Sequence, residues 1–141
     1  MKSQIIKEED EFDVEDPEED EIEHLVGAYC QKQPGYKRRH FCSYKLFDDN
    51  DNFIAGASFL IRAEMLFLDD LAVVENERLK GYGSKMLKEI EEFAISNGCE
   101  KAETSIYQSL PFYLKNGYEV KYTREYADKR LNQYKLEKKL K

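Results

Sequence analysis

The feature that most constrains the fold is an apolar segment that leads through a polar turn into a glycine-rich helix start. Residues 65–74 are mostly apolar, interrupted by Asp69 and Asp70, which is typical of a central strand covered on both faces. Over residues 83–97 the apolar side chains recur at helical spacing, and Asn97 with Gly98 marks the end, which predicts an amphipathic helix. The chain must therefore combine a buried strand with a helix that follows it directly.

The remaining pattern predicts further strands and helices. Runs rich in aromatic and β-branched residues predict strands over 3–7, 40–47, 53–61, 101–107, 118–124 and 133–140. Helix-start signals and helical spacing predict helices over about 17–31 and over 109–116. The Asp and Asn cluster at 48–52 lacks the glycine and the distant glutamate of an EF-hand loop, so it predicts a hairpin turn. Neither a repeat nor a linker interrupts the pattern, and we expect a single domain over 1–141.

The composition is that of one soluble domain. A chain of 141 residues can bury one core without disulfide or metal support, and 41% apolar with 36% charged residues is a globular balance. No apolar run approaches the roughly 20 residues that cross a bilayer, and the N-terminus lacks signal-peptide and transit-peptide features. We therefore expect a cytoplasmic protein without membrane association.

The cysteines do not predict a metal site or a disulfide framework. Cys30, Cys42 and Cys99 are an odd number at wide spacing, and only His24 and His40 are available as further ligands. Small buried thiols in a reducing compartment are the expected state of all three.

The charge is distributed unevenly along the chain. The net charge is −7, from 22 basic and 29 acidic residues, and 12 of the acids lie in residues 8–23. Such a protein repels nucleic acid, so no nucleic-acid partner is expected, and it favours cationic small molecules or basic protein segments. The simpler interpretation of the acidic run is a solvated segment that aids solubility.

The segment over residues 78–85 places small residues where a helix begins. The first amides of a helix have no partner within it, and the helix dipole favours negative charge, so this segment suits a phosphate-bearing ligand. It is not a dinucleotide fingerprint, because Met86 stands where the third glycine is needed, and it does not fit a nucleoside-triphosphate loop. Tight packing of the strand-to-helix turn is the alternative explanation of the glycines.

Two motifs resemble signatures of the GNAT N-acetyltransferase superfamily. Arg78-Leu79-Lys80-Gly81-Tyr82-Gly83, preceded by Leu71-Ala72-Val73, resembles the family's acetyl-coenzyme A motif of Arg or Gln, two residues, Gly, one residue, and Gly or Ala. Phe112-Tyr113-Leu114-Lys115-Asn116-Gly117-Tyr118 is similar to its F-Y-x-K-x-G-[F/Y] segment. The resemblance covers the whole chain, most strongly residues 53–120. It implies an α/β (α+β) fold, a mixed and mainly antiparallel sheet of six or seven strands flanked by helices.

The resemblance also implies acetyl-coenzyme A (acetyl-CoA) as cosubstrate. Backbone groups at Leu71 and Val73, on either side of Ala72, would bind its pantetheine arm. In the family's fold the strand over 65–74 splays from the strand over 101–107, and the cosubstrate enters the notch between them. The residues that would wrap its pyrophosphate are Arg78, Leu79, Lys80, Gly81, Tyr82, Gly83 and Ser84.

The implied activity is acetyl transfer from a thioester to a primary amine, which needs a neutral amine, a stabilised oxyanion and a protonated leaving thiolate. Tyr113 would protonate the sulfur, and an amide in residues 71–73 would stabilise the oxyanion. Asp69 and Asp70 are candidate bases, with Glu64 a third choice, and strand alternation sends only one aspartate toward the notch. Alternatively, an aspartate only anchors a cationic substrate or caps an amide, and a water chain deprotonates the amine.

The resemblance leaves the acceptor open. We expect an N-acetyltransferase acting on an amine-bearing cationic small molecule or peptide, and a homodimer is compatible with it. The alternative is a catalytically silent acetyl-CoA-binding module that docks a basic partner through its acidic face. Acetylation of aminoacyl-tRNA is disfavoured by the net charge of −7. One departure from the family pattern is Ile106, where many relatives carry a cofactor-contacting asparagine, with Gln108 the candidate replacement.

Overall fold

The computed structural model describes residues 1–8, 21, 22, 25 and 40–141. Most of the predicted helix over about 17–31 and of the acidic run over 8–23 falls outside the described residues, as do Cys30 and His24.

The described residues form a seven-stranded sheet and two α-helices. The strands are β1 (Lys2–Glu8), β2 (His40–Phe47), β3 (Phe53–Arg62), β4 (Met65–Val73), β5 (Lys101–Ile106), β6 (Glu119–Arg124) and β7 (Gln133–Lys139). The helices are α1 (Tyr82–Ser96) and α2 (Leu110–Lys115). Every strand predicted from the sequence is present, because aromatic and β-branched runs between polar turns favour extended structure.

The strands lie in the order β1-β2-β3-β4-β5-β7-β6. Of the strand pairs formed by the described residues, only β4 with β5 is parallel. The predicted mixed, mainly antiparallel sheet is therefore confirmed. The last two strands pair with each other as expected, and β7 lies between β5 and β6.

The turn between β2 and β3 is built on Asp48. Its Oδ1 atom accepts hydrogen bonds from the backbone amides of Asn50 at 2.8 Å and Asn52 at 2.9 Å. A carboxylate that accepts amides of the following residues closes a turn locally. The predicted hairpin over 48–52 is confirmed.

Helix α1 packs its apolar face on the sheet. Met86, Leu87, Ile90 and Ala94 are buried on that face and join Leu66 of β4 in the core. Each large apolar side chain buried in this way contributes roughly 1.5 to 3 kcal/mol. This packing holds the first turn of α1 close to the carboxyl end of β4.

A buried ion pair ties α1 to β7 and to the end of α2. Glu91 is 6% exposed, and its carboxylate accepts two hydrogen bonds from the Lys138 ammonium at 2.5 and 3.0 Å. Lys138 also donates to the backbone carbonyl oxygen of Asn116 at 2.9 Å. Burial raises the pKa of Glu91, and the adjacent Lys138 opposes that rise. Nothing in the sequence pattern of either residue predicted this pair.

Candidate functional site

The site begins where β4 and β5 separate. Their parallel pairing runs from Met65 with Lys101 to Leu68 with Thr104, whereas β4 continues to Val73 and β5 to Ile106. Beyond Leu68, no residue of β4 pairs with a residue of β5. This opening corresponds to the splay that the sequence resemblance implied.

A cleft of about 930 Å³ lies at this opening. It is bounded by β4, by the turn and first residues of α1, by the last residue of β5 with residues 107–109 after it, by α2, and by Arg130 with Leu131 of the β6–β7 connection. Of the predicted cofactor-binding residues together with Tyr113, Asp69 and Asp70, all of which the structure describes, each lines the cleft except Lys80, and Glu64, the third candidate base, does not line it. The fold thus brings together residues that lie up to 44 positions apart, from Asp69 to Tyr113.

A β-bulge shapes the acidic end of the cleft. Ser58 of β3 is paired with Asp70, and the next residue Phe59 is paired with Leu68, so Asp69 is the extra residue of β4. A bulge interrupts the alternation of side chains along a strand. Asp69 and Asp70 are both exposed and both line the cleft. Leu71, Ala72 and Val73 line the cleft as well, so the lining does not distinguish the two carboxylates, and the expectation that only one aspartate faces the notch stays a prediction.

The three candidate acids differ in their surroundings. The Asp70 carboxylate accepts a hydrogen bond from the Ser58 hydroxyl at 3.3 Å, whereas the Asp69 carboxylate has no hydrogen bond or ion pair within the described part of the chain. Glu64 lies in the turn before β4, where its carbonyl oxygen accepts the amide of Glu100 at 2.7 Å. That turn is at the opposite end of β4 from the opening, so Glu64 is not placed to act in the cleft.

The first turn of α1 forms the second end of the cleft. Leu79 and Gly81 both have left-handed backbone conformations, with φ of 65° and 84°, which bend the chain sharply into the helix. The first helical hydrogen bond runs from the Lys85 amide to the Gly81 carbonyl oxygen at 3.1 Å. The amides of residues 82–84 precede that bond and have no acceptor within the helix. They are therefore available to donate hydrogen bonds to an anion.

Tyr113 of α2 is a buried residue of the cleft lining. It is 6% exposed, and its ring makes edge contacts with Phe112 at 5.1 Å and Tyr118 at 5.5 Å between centroids. Burial raises the pKa of Tyr113, and hydrogen bonding with the Thr104 hydroxyl acts in the opposite direction. The phenol is therefore held rigidly and is protonated at neutral pH, as a proton donor must be.

Residues 4–118 match the family model described as the acetyltransferase (GNAT) family. The chain belongs to this family. It is therefore an acyltransferase, and acetyl transfer is its general activity. Among curated proteins no match was found.

The fold agrees with solved structures of acetyltransferases. An acetyltransferase from Bacillus cereus is 23% identical with a TM-score of 0.73, over 91% of this chain and 99% of that chain. An aminoglycoside 6'-N-acetyltransferase complexed with coenzyme A is 14% identical with a TM-score of 0.61, over 86% and 82%. The N-acetylglutamate synthase of Neisseria gonorrhoeae, complexed with coenzyme A and N-acetyl-glutamate, is 19% identical with a TM-score of 0.60, over 70% and 26%.

Two basic residues of the GNAT loop have different surroundings. Arg78 lines the cleft, and its Nε donates to the carbonyl oxygen of Val73 at 3.1 Å. Lys80 points to Glu77, with an ammonium-to-carboxylate distance of 2.9 Å, and does not line the cleft. The sequence motif includes both residues and does not distinguish them.

Glycine is favoured at the two glycine positions of the GNAT motif for different structural reasons. A Cβ on Gly81 would meet nothing within 4 Å, so its positive φ is what favours glycine there. A Cβ on Gly83 would lie 3.1 Å from the Phe112 ring, so this glycine permits close packing of α1 on α2. Asn116 reinforces that contact through a hydrogen bond from its Nδ2 to the Ser84 hydroxyl at 3.2 Å.

Several cleft residues of this GNAT domain carry no signal in the sequence. Arg130 and Leu131 reach the cleft from the β6–β7 connection, and only their tertiary position identifies them. Ile106 stands where many relatives carry a cofactor-contacting asparagine, and Gln108 is the candidate replacement for it. Both residues line the cleft. Thr104 is 2% exposed at the base of the opening. Threonine is common in β-strands, so nothing in the sequence distinguishes it from its neighbours.

Within the part of the chain that the structure describes, no group of three His, Cys, Asp or Glu side chains could hold a metal ion. None of the described helices is long and apolar enough to cross a membrane.

Proposed function

We propose that the protein transfers an acetyl group from acetyl-CoA to a primary amine of a cationic small molecule or peptide. The observation that carries this proposal is the single cleft that joins three features. These are the open edge of β4, the first turn of α1 and the buried phenol of Tyr113. Cytoplasmic location and assembly as a homodimer stay predictions.

The residues present fit acetyl-CoA. After Leu68, β4 offers backbone groups along an edge with no ladder partner from β5, which suits the amide-bearing pantetheine arm. Open space above Gly81 and the amides of residues 82–84 suit a pyrophosphate. Arg78 and Lys115 add positive charge to the cleft lining. Bound there, acetyl-CoA would supply the acetyl thioester.

In the proposed reaction a nitrogen–carbon bond forms and the carbon–sulfur bond breaks. Asp69, or a water beside it, accepts the proton that the attacking amine loses. Tyr113 donates its phenolic proton to the departing sulfur, and solvent then restores that proton. A backbone amide of residues 71–73 stabilises the carbonyl oxygen as negative charge develops on it. The products are the N-acetylated amine and free coenzyme A.

The acidic end of the cleft supports a cationic acceptor. Asp69 and Asp70 are exposed beside the bulge, and Asp69 has no cationic partner within the described residues to neutralise it. Two carboxylates at the mouth of a cleft attract a protonated amine and hold it near the reacting centre. We therefore propose polyamines, aminoglycosides, amino acids and lysine-bearing or N-terminal peptides as the acceptors to test.

The binding part of the proposal is tested by thermal unfolding with acetyl-CoA and with free coenzyme A. A ligand at 100 times its dissociation constant stabilises the folded state by about 2.7 kcal/mol, so the unfolding temperature should rise with ligand concentration. If neither compound stabilises the protein at millimolar concentration, the cosubstrate assignment fails.

The catalytic part is tested by release of free thiol from acetyl-CoA in the presence of the amine panel. Thiol release that depends on a particular amine supports the proposed enzyme and names its acceptor class. Stabilisation by acetyl-CoA without amine-dependent release from any of these amines would instead favour the silent binding module.

A further inference from the structure

The Lys138 ammonium joins three elements beside the cleft. It extends from β7, and its Nζ atom donates to both carboxylate oxygens of Glu91 in α1, at 2.5 and 3.0 Å. It also donates to the carbonyl oxygen of Asn116, the C-cap residue of α2, at 2.9 Å. An ammonium group has three protons, and these three acceptors use all of them. The position of Lys138 is therefore fixed by α1 and by α2 together.

The end of α2 leaves room for the stem of this lysine. Gly117 follows Asn116 with φ of 92°, a conformation that glycine favours at helix ends. A Cβ at Gly117 would lie 3.3 Å from Cε of Lys138, so glycine also permits the stem to pass. The amide of the next residue, Tyr118, donates to the carbonyl oxygen of Tyr113 at 3.0 Å. Lys138 therefore lies directly against the turn that closes α2.

Contacts lead from Lys138 to two functional parts of the cleft. Its ammonium lies 5.7 Å from the ring centroid of Tyr118, within the range of a cation–π interaction, and the Tyr118 ring packs at 5.5 Å on the ring of Tyr113. On the other side, the Asn116 side chain donates from Nδ2 to the Ser84 hydroxyl in the first turn of α1, at 3.2 Å. One residue thus contacts neighbours of both the candidate proton donor and the candidate phosphate site.

A buried ion pair adds little net stability over apolar side chains, because taking two charges out of water costs about as much as their attraction returns. Replacing such a pair with apolar side chains of similar volume is often neutral or stabilising, whereas removing one partner alone is strongly destabilising. Glu91 is 6% exposed, so its charged pair calls for a reason other than stability, and the bond from Lys138 to Asn116 supplies one.

We propose that Lys138, held by Glu91, is a positioning residue that fixes the distance between the first turn of α1 and the phenol of Tyr113. This inference rests on the proposed function, which places a pyrophosphate at that turn and the thioester sulfur at that phenol. Acetyl-CoA bound as proposed spans both places, so a shift of α2 relative to α1 would move the sulfur away from its proton donor. A displacement of about 1 Å is enough to slow an oriented reaction strongly.

The first test needs no ligand and replaces both charges together. The variant Glu91→Leu with Lys138→Met should fold, with an unfolding temperature close to that of the unaltered protein. It removes the donor to Asn116, so amide hydrogen exchange at Tyr118, whose amide closes α2, should become about tenfold faster.

The matched control is a second ion pair that also involves β7. Lys135 of β7 and Glu103 of β5 form a salt bridge of 2.9 Å, and neither residue contacts Asn116 through a hydrogen bond. Replacement Glu103→Leu with Lys135→Met should therefore leave exchange at Tyr118 unchanged. Equal exchange rates at Tyr118 in the two double variants would overturn the inference.

The second test measures coenzyme A affinity and turnover at a temperature where each variant is folded. In the Glu91→Leu, Lys138→Met protein the dissociation constant of coenzyme A, measured by calorimetry, should rise and kcat for thiol release should fall, each roughly tenfold. The KM for the amine should not change, because the acidic end of the cleft on β4 is untouched. A role in stability alone would leave all three constants in place, and that result would overturn the inference.

A further variant decides the inference even if that double variant does not fold. Asn116→Ala retains the carbonyl oxygen that Lys138 binds and removes the side-chain bond to Ser84. Asn116 is half-buried, so this variant should fold, and its affinity for coenzyme A should fall by roughly threefold. Unchanged affinity would overturn the inference. Failure of the unaltered protein to bind coenzyme A counts against the proposed function instead, while exchange at Tyr118 still decides whether Lys138 holds the end of α2.

Discussion

Single residues determine where acid and base functions lie in the cleft. Tyr113 is buried on α2, and burial raises the pKa of its phenol, which is therefore protonated at neutral pH. Asp69 and Asp70 are exposed on β4 at the bulge. A proton donor and a proton acceptor on different elements can act on opposite sides of one reacting group.

Replacement Tyr113→Phe tests the donor. It retains the ring and its packing while removing the proton, so turnover should fall on the order of 10- to 1,000-fold. Affinity for coenzyme A, measured by calorimetry, should change little because the cofactor-binding backbone is untouched. Normal turnover would mean that another group protonates the sulfur.

The aspartates are separated by Asp69→Asn and Asp70→Asn. Asp70 is engaged by Ser58, whereas Asp69 is unengaged within the described residues, so Asp69→Asn should have the larger kinetic effect. A rise in the KM for the amine alone identifies an anchor, and a lower kcat with a changed pH profile identifies the base. Ser58→Ala serves as the control for the Asp70 contact. Equal, negligible effects of both replacements would leave water as the proton acceptor.

At the level of elements, the first turn of α1 is placed by its neighbours more than by its own sequence. The core face of α1 holds it on the sheet. The hydrogen bond from Asn116 to Ser84 and the pair of Glu91 with Lys138 connect α1 to α2 and β7. Residues far from the glycine motif therefore decide where its free amides lie.

Gly81→Glu and Gly98→Glu form a matched pair at the two ends of α1. Both glycines have positive φ, 84° and 89°, and open space around the Cβ position, so each replacement should cost roughly 1 to 2 kcal/mol of stability. Only Gly81→Glu places negative charge where phosphate is proposed to bind, so only it should weaken the thermal stabilisation by coenzyme A. An equal loss of that response in both variants would point to helix damage rather than to the binding site.

At the level of the whole molecule, one sheet runs through all described strands from β1 to β6. The single domain over 1–141 stays a prediction. It leads to the expectation of one calorimetric unfolding transition whose calorimetric and van't Hoff enthalpies agree. Acetyl-CoA should move that transition as a unit. Two transitions, with only one of them shifted by the ligand, would contradict a single domain.

The sequence by itself determined the strands, the two described helices and the segment that carries the glycine motif. These features depend on residues close together in the chain, such as the periodicity of α1 and the turn at Asp48, and local patterns report local structure. The two motifs also led to the family and to most of the residues that line the cleft, including Tyr113.

Only the tertiary structure decided how these parts meet. The bulge at Asp69 depends on the register of β4 against β3, and both aspartates at this bulge are exposed. The end of pairing at Thr104 and the buried pair of Glu91 with Lys138 join residues that are distant in sequence. Such contacts depend on register and packing between elements, which the periodicity of a single segment does not encode.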